Sequence, residues 1–579
     1  MQRASPKGQN LYRTALRQLR PTLITVGLFS AIVNILMLTG PIYMLQIYDR
    51  VLSSGSVPTL QGLFMVVVIL YAFLGLYQFL RARLLSRASY RLDSDLGDPA
   101  MAFWMQESLD NQTQKEHNPI RDLSMVRSFM SSPAIQGIFD LPWIPLFLIV
   151  VFAIHPWLGY LTIAGAGVVI VAALLNQAVT RGSTDTAAQI DGLEREFLES
   201  SHRNADAIMT LGMRGAIVAR WRQIHEAALA KAQEGGEWTE MFSSFSRSFR
   251  LLLQSALLTV GAYLALQQQI TPGMIIAASI IAGRALAPVD QVLGQWRAIS
   301  RGMAAHKRLL SAFDAIPEAK QQLSLPDPKG ELEVKDLVKL MPPQSHIKGR
   351  QRILNQINFS LSPGDGLGVI GNSAAGKSSL AKILIGAWKP DAGEVRLDGA
   401  TLDQWPSDDL GRHVGYLPQS VEVLPGTIAQ NIGRFDPASR DADIIEAAKI
   451  AGVHDMILAF PDGYATVIGH HAQPLSSGQI QQLGLARALY RIPKLVVLDE
   501  PNSNLDADAD DAMSSAIQTL RERGSVVVVM AHRPSAISSV NKLLLLREGR
   551  VAYFGDKEET IRLATTSPSG PQVVKEGLL

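Results

Sequence analysis

The sequence predicts two domains: an N-terminal all-α domain with six membrane-spanning helices, and a C-terminal α/β domain with a mainly parallel sheet. Three observations support this fold class. Long runs without charged side chains fill the first half of the chain, short β-rich strands fill the second half, and one of those strands runs directly into a glycine-rich loop. At 579 residues the chain is also too long for a single hydrophobic core.

The composition excludes several classes of function. A net charge of +2 is close to neutral, so we expect no nucleic acid or other polyanionic partner. The absence of cysteine excludes disulfides, iron–sulfur clusters, zinc–thiolate sites and a cysteine nucleophile. Hydrophobic residues make up 47% of the chain, which is high for a soluble protein of this length.

The membrane-spanning prediction comes from four runs without Asp, Glu, Lys or Arg: residues 21–48, 51–80, 141–180 and 251–283. A helix needs about 20 apolar residues to cross the hydrocarbon core. One central charge costs about 2.5–3.5 kcal/mol on insertion. The third run is divided by His-Pro-Trp at 155–157, and the fourth by QQQITPG at 267–273, which gives six spans.

The distribution of basic residues predicts the orientation. Five Lys or Arg residues precede the first span, whereas the turn between the first two spans has Arg50 alone. The N-terminus and two polar segments, roughly 81–133 and 181–246, are therefore predicted to be cytoplasmic. Apolar residues at helical spacing indicate that both segments are helical excursions, and a solvated coiled-coil hairpin is the alternative. The uncharged first run is too long for a cleavable signal peptide.

The α/β domain is predicted from strands at 366–370, 494–500 and 525–532. The first strand leads into a loop that matches the phosphate-binding P-loop pattern, with a strand before it and a helix after it. Backbone N–H groups of such a loop bind the β-phosphate, Lys377 would contact the β- and γ-phosphates, and Ser378 would bind Mg²⁺. The predicted ATP-binding residues are Gly371, Asn372, Ser373, Ala374, Ala375, Gly376, Lys377, Ser378 and Ser379.

Two further segments carry polar groups that suit the same chemistry. Asp499 and Glu500 end a buried strand, where Asp499 can reach a metal ion and Glu500 can act on the attacking water. The segment LSSGQ begins a second helix whose N-terminus can bind an anion. That helix is predicted to pack into its own domain through Ile480, Leu483, Ala486 and Leu489.

The order of these motifs resembles an ABC-transporter ATPase domain, from residue 331 to about 560. The motifs are the P-loop, YLPQ with Gln419, LSSGQ, LVVLDEPNSNLD and MAHRP with His532. The resemblance implies ATP and Mg²⁺ as cofactors, with Mg²⁺ bound by Ser378, Gln419 and Asp499. The implied catalytic residues are Glu500 as base, His532 on the γ-phosphate, and Gln419. In a homodimer, ATP on one P-loop would be contacted by the other subunit's Ser476, Ser477, Gly478, Gln479 and Asp506.

Two departures from the family pattern affect the site. Ser477 stands before Gly478 where the family usually has two glycines, and we expect function to survive because serine can donate to phosphate. The stretch DLVKLMPPQSH has no Phe, Tyr or Trp where related domains place a ring against adenine, so base selectivity is predicted to be loose. His470 and His471 are interpreted as loop residues and not as metal ligands.

The whole chain resembles half-transporter exporters of the type I ABC exporter fold. The expected segments are a cytoplasmic N-terminus (1–20), the transmembrane domain (21–315), a linker (316–330), the ATPase domain (331–562) and a disordered tail (563–579). MLQIYDRVLSSGS, FDLPWIPLFLIVV and DEPNSNLD resemble the type I secretion branch that exports proteases and lipases. A proline-broken start of the third span also accounts for DLPWIP. Without cysteine, we expect no leader-cleaving peptidase.

The resemblance to the secretion branch implies a location and a set of partners. The location is the bacterial inner membrane, with the ATPase domain in the cytoplasm. The partners are membrane lipid, a periplasmic adaptor, an outer-membrane duct and an unfolded protein substrate. A lipid or small-molecule exporter of the same fold and an ATP-gated regulator or channel remain as alternatives.

Overall fold

The structure is a computed structural model that describes residues 11–110, 118–314, 325–341, 352–469, 474–502, 507–531 and 537–566. Two compact units are present, one helical and one α/β. The helices of the first unit are α1 (Leu11–Leu36), α2 (Thr39–Gln46), α3 (Leu52–Ser54), α4 (Val57–Asp110), α5 (Pro119–Met130), α6 (Pro133–Asp140), α7 (Ile144–Ile154), α8 (Pro156–Arg203), α9 (Ala205–Thr210), α10 (Arg214–Leu266), α11 (Pro272–Gly294) and α12 (Trp296–Asp314).

Among the described residues, six helical stretches are long and apolar enough to cross a membrane, which confirms the predicted number. They are Leu11–Ser54, Val57–Glu107, Pro133–Ile154, Pro156–Arg203, Arg214–Leu266 and Pro272–Gly294. Helices α4, α8 and α10 have 54, 48 and 53 residues, far more than the roughly 20 that a bilayer needs. In the described residues, the polar segments predicted as helical excursions consist mainly of continuations of these three helices, together with the separate helices α5 and α9.

Both predicted breaks between neighbouring spans are present, and each is made by a cap followed by proline. At His155 the backbone is extended, and the ring Nδ1 accepts a 3.3 Å hydrogen bond from the backbone N–H of Trp157. Thr271 caps α11 in the same way through the N–H of Met274 at 3.3 Å. Proline follows each cap because the first helical position needs no N–H donor.

A buried ion pair joins three of the apolar helices. Arg81 of α4 lies 2.7 Å from Asp140 at the end of α6, and the two residues are only 4% and 8% exposed. Asp140 also accepts hydrogen bonds from Ser30 and Asn34 of α1, at 2.5 and 2.9 Å. The ion pair compensates the two buried charges, and an unpaired charge among apolar helices would be costly.

Asp140 is the second residue of the FDLPWIP segment. After it the chain tightens into a 3₁₀ turn, Leu141–Trp143, before α7. The proline-broken start that the sequence offered as an alternative explanation is thus present, together with a carboxylate that ties three helices together.

The second unit contains twelve strands and eight helices in its described residues. The strands are β1 (Leu332–Leu340), β2 (Arg352–Leu361), β3 (Gly366–Ile370), β4 (Ala392–Leu397), β5 (Ala400–Thr401), β6 (Val414–Leu417), β7 (Gly426–Thr427), β8 (Val467–Ile468), β9 (Leu495–Asp499), β10 (Val526–Met530), β11 (Lys542–Arg547) and β12 (Arg550–Asp556). The helices are α13 (Lys377–Leu384), α14 (Ser407–His413), α15 (Ile428–Ile432), α16 (Asp441–Ile450), α17 (His454–Leu458), α18 (Ser477–Leu489), α19 (Ala507–Glu522) and α20 (Lys557–Thr566).

The central sheet of this unit has six strands in the order β12-β11-β3-β10-β9-β6, and all of them are parallel except β12. A second sheet, β2-β1-β4-β5, is antiparallel. Strands β9 and β10 are buried along their whole length. Their side chains alternate between two apolar clusters, so both faces of the sheet are covered, as the continuous apolar runs predict.

Candidate functional site

The glycine-rich loop leaves the carboxyl end of β3, which lies between β10 and β11 in the sheet. Gly371 is needed for close packing, because a Cβ atom there would come within 2.3 Å of the Leu546 carbonyl oxygen. Ala374 and Gly376 adopt left-handed backbone angles, with φ of +65° and +101°. This sequence of turns brings the backbone N–H groups to the start of α13, the arrangement that binds phosphate in other proteins.

The side chain of Lys377 contacts the backbone of the loop that precedes it. Its Nζ donates hydrogen bonds to the carbonyl oxygens of Gly371, at 2.7 Å, and Asn372, at 3.2 Å. Burial lowers the pKa of Lys377, while the nearby carboxylates of Glu500 and Asp499 act in the opposite direction. The ammonium group and the helix N-terminus together concentrate positive charge in the loop, which suits a polyphosphate.

Ser378 and Asp499, which the sequence predicts to bind Mg²⁺, are in contact. The Ser378 hydroxyl donates a 3.3 Å hydrogen bond to Asp499 Oδ1, and Asp499 is only 2% exposed at the end of β9. Burial raises the pKa of Asp499, the Ser378 hydrogen bond lowers it, and Glu500 raises it further. A hydroxyl beside a carboxylate fits Mg²⁺, which binds oxygen ligands and relieves the cost of a buried negative charge.

Gln419 and Glu500 meet although they follow different strands. Strands β6 and β9 are neighbours in the sheet, and Gln419 Nε2 donates a 3.0 Å hydrogen bond to Glu500 Oε2. Glu500 has a left-handed backbone, with φ of +50°, and its N–H donates to the Met530 carbonyl at 3.0 Å. Such a conformation costs about 1–3 kcal/mol for a non-glycine residue and is concentrated at functional sites.

The LSSGQ segment begins helix α18, and its first serine is the N-cap. Ser476 Oγ accepts from the Gln479 N–H at 3.2 Å, and Gln479 Oε1 accepts from the Ser476 N–H at 2.9 Å. These two side chains therefore stabilise their own helix start, with Ser477 and Gly478 in its first turn. Leu483, Ala486 and Leu489 are buried as predicted, whereas Ile480 is half-buried.

Gln481, which the sequence did not single out, connects this helix to the segment that follows β9. The residue is 2% exposed, and its Nε2 donates a 3.1 Å hydrogen bond to the carbonyl oxygen of Pro501, next to Glu500. A polar residue among the apolar positions of a packed helix was the available signal, because buried polar groups need partners.

Several predicted residues lie outside the part of the chain that the structure describes. They are Asp506, His532, the loop histidines His470 and His471, and the end of the DLVKLMPPQSH stretch from residue 342 onward. The P-loop residues, Lys377, Ser378, Asp499, Glu500 and Gln419 are described. The structure brings these together at the carboxyl ends of β3, β9 and β6, where parallel sheets bind ligands.

Comparisons with known proteins agree with both units. Residues 354–503 match the family described as "ABC transporter", and residues 23–286 match "ABC transporter transmembrane region". The chain is 42% identical to the type I secretion system ATP-binding protein PrsD of Rhizobium meliloti (strain 1021), over 96% of this chain and 95% of the relative.

Two more distant relatives match this chain over nearly its full length. The chain is 25% identical to the alpha-hemolysin translocation ATP-binding protein HlyB of Escherichia coli O157:H7, over 94% of this chain and 77% of HlyB. A solved structure of a bacterial Atm1-family ABC exporter with ATP bound superposes with a TM-score of 0.80 and 19% identity. That match covers 96% of this chain and 99% of the other. At this identity the likeness concerns the fold.

Proposed function

This chain belongs to the ABC transporter family, and from that premise we propose that it is the inner-membrane motor of a type I protein secretion system. In this role it is a multi-pass membrane protein that couples ATP hydrolysis to the export of an unfolded protein from the cytoplasm. One observation carries the proposal: the 42% identity to PrsD, a type I secretion ATP-binding protein, extends over nearly the full length of both chains.

The proposed roles of the site residues follow from their placement. Residues 371–379 bind ATP, and Ser378, Asp499 and Gln419 hold Mg²⁺. Glu500 acts as base toward the attacking water, and its hydrogen bond to Gln419 orients the carboxylate. His532 holds the γ-phosphate. The proposed segment limits remain 1–20, 21–315, 316–330, 331–562 and 563–579.

The proposed assembly is a homodimer in the inner membrane with the ATPase domain in the cytoplasm. Two copies close around two ATP molecules, and each copy presents a helix start to the partner's nucleotide. Those contacts come from Ser476, Ser477, Gly478, Gln479 and Asp506. Beyond membrane lipid, the partners are a periplasmic adaptor, an outer-membrane duct and the secreted protein, and no nucleic acid is involved.

The test is deletion of the gene in its native bacterium, followed by proteomic comparison of the culture medium. We expect one or a few specific proteins to disappear from the medium and accumulate in the cell. The wild-type gene should restore them, whereas a Glu500→Gln copy should not. If no secreted protein changes while lipid or drug efflux does, the chain is a lipid or small-molecule exporter. If neither changes, an ATP-gated regulator or channel becomes the better description.

A further inference from the structure

The MLQIYDRVLSSGS segment resembles the secretion branch, but none of its residues takes part in the ATPase chemistry. In the structure it forms the turn between the first two spans: the end of α2, a π-helical turn at Ile47–Val51, and α3. Gly55 then reverses the chain in a left-handed conformation, with φ of +62°. π-Helical turns are rare and often occur at functional positions.

Asp49, in the middle of the π-helical turn, caps the sixth span from across the fold. Its Oδ2 accepts a 2.5 Å hydrogen bond from the Thr271 hydroxyl, and its Oδ1 accepts a 2.9 Å hydrogen bond from the Gly273 backbone N–H. Pro272 has no N–H, so Gly273 supplies the first free backbone donor of α11. A carboxylate at this point is also favoured by the helix dipole.

The contact between Asp49 and Gly273 depends on the absence of a side chain at Gly273. A Cβ atom at Gly273 would lie 2.6 Å from Asp49 Oδ1 and 2.7 Å from Asp49 Cγ, so any side chain there would displace the carboxylate. Thr271 already caps α11 locally through Met274. The helix therefore has a cap of its own, and the cap from Asp49 serves a different purpose, which is to join the turn after the first span to the start of the sixth.

Two carboxylates thus tie the helices together, in opposite environments. Asp140 is 8% exposed and forms an ion pair with Arg81, which is 4% exposed. Breaking this pair would therefore cause a large loss of stability. The bond between Asp49 and Thr271 is exposed to solvent, and the bond between Asp49 and the Gly273 N–H is half-buried. Water can replace the partners of an exposed hydrogen bond at little net cost, so this link can open and close.

We infer that Asp49 is a releasable latch: it positions the first turn of the sixth span while that membrane face is closed, and it releases Thr271 and Gly273 when the export path opens there. Since α11 begins at the latch, crosses the membrane in this proposal and is followed by α12, the latch and α12 lie at opposite membrane faces. The inference rests on the proposed export function, because alternating access requires each face to open in turn.

Cross-linking tests the latch without knowledge of the substrate. The chain has no cysteine, so Asp49→Cys with Thr271→Cys gives a unique thiol pair in the full-length protein. With a short bifunctional thiol reagent in native membranes, we expect a high cross-link yield without nucleotide. The yield should fall roughly three-fold or more when a non-hydrolysable ATP analogue is bound. The same cross-link yield with and without the ATP analogue overturns the inference.

A matched glycine pair tests the consequence for transport. Gly273→Ala displaces Asp49, whereas Gly283→Ala on the same helix adds a Cβ with no atom within 4 Å. We expect Gly273→Ala and Asp49→Ala to secrete roughly three-fold less protein per ATP hydrolysed. Asp49→Asn should be intermediate because its Oδ1 still accepts, and Gly283→Ala should match the wild type. Normal secretion by the first two variants overturns the inference.

Two other outcomes are decisive as well. If Asp49→Ala is lost from the membrane and the cross-link yield ignores the nucleotide, Asp49 is a permanent structural cap. If the wild type secretes no protein, the proposed function fails, and the cross-link yield still decides the latch.

Discussion

Gln419 Nε2 donates a 3.0 Å hydrogen bond to Glu500 Oε2, which joins the ends of β6 and β9 at the nucleotide site. The two residues are 81 positions apart and meet only because their strands are neighbours in the sheet. The bond restrains a carboxylate whose backbone is already held in a left-handed conformation. Both restraints act on the residue that directly follows Asp499, the partner of Ser378.

Glu500→Gln should abolish turnover and leave ATP binding intact, because the amide keeps the shape of the side chain but cannot accept a proton. We expect ATP hydrolysis to fall by roughly two to four orders of magnitude. Purified full-length protein should be assayed for phosphate release and for binding of a fluorescent ATP analogue. Glu548→Gln is a matched control, since Glu548 also has a left-handed backbone, with φ of +49°. Near-normal hydrolysis by the Glu500 variant would show that another group is the base.

Asp499→Asn should stabilise the nucleotide-free protein and impair hydrolysis. Burial raises the pKa of Asp499 above its unfolded value. The folded state is therefore favoured when Asp499 is protonated, and that contribution is lost as pH rises through the raised pKa, so at neutral pH the charge costs stability. Asparagine removes this cost, and the Tm of the ATPase domain in the full-length protein should rise.

In the proposed role Asp499 holds Mg²⁺, so hydrolysis by Asp499→Asn should fall by about two orders of magnitude. Mg²⁺-ATP should also raise the Tm of the variant less than that of the wild type. The exposed Asp462→Asn is the control and should change neither property. A lower Tm in Asp499→Asn would contradict the explanation from burial.

The effects of substituting Arg81 and Asp140 on the free energy of unfolding should depend strongly on each other. Arg81→Met or Asp140→Asn alone leaves one uncompensated buried charge, and each should lower the free energy of unfolding by about 3–5 kcal/mol. The double variant removes both charges and keeps the acceptor for Ser30 and Asn34, so it should recover most of that loss. Thermal unfolding in detergent measures all four proteins.

The control for this cycle is the exposed ion pair between Arg127 and Asp93, at 3.1 Å. Its two side chains are 47% and 34% exposed, so neutralising either should cost about 1 kcal/mol or less. Additive losses at Arg81 and Asp140 would mean that the two charges do not depend on each other.

Mixed dimers should reveal whether the nucleotide sites are shared. A subunit with Lys377→Ala and a partner with Gly478→Asp place both defects in one site and leave the other site intact. If the sites work independently, such a dimer should keep about half of the wild-type hydrolysis. When both changes are in one subunit, each site of the mixed dimer has one defect, and hydrolysis should be lost. Equal activity of the two arrangements would contradict a shared site.

The structure shows that the Ser476 side chain caps helix α18. Its hydroxyl is part of the capping box with Gln479, so Ser476→Ala weakens the helix start by about 0.5–2 kcal/mol before any nucleotide is considered. Gly478, in the first turn of α18, is the cleaner position for probing the anion site. Sequence spacing could not distinguish these two serine roles, since a cap and an anion contact need the same residue type.

The amino-acid sequence determined the features that depend on neighbours along the chain. Four runs without charged residues, two of them divided by a break, predicted six spans because each helix satisfies its own backbone in lipid. A strand, six loop residues and a helix predicted the phosphate-binding loop because its turns are set locally. The order of the motifs also identified the family, which the comparisons confirm, while the individual roles of the site residues remain predictions.

Only the tertiary structure decided which distant side chains meet. Sheet order brought Gln419 to Glu500, and helix packing brought Asp49 to Gly273, Asp140 to Arg81, and Gln481 to Pro501. Each contact joins residues from different elements, and a hydrogen bond forms only within about 3 Å. Local patterns of hydrophobicity indicate which face of a helix or strand is buried. They do not indicate which residues of two different elements lie within about 3 Å of each other. Those distances are fixed when the packed elements exclude water and each buried polar group must find a partner.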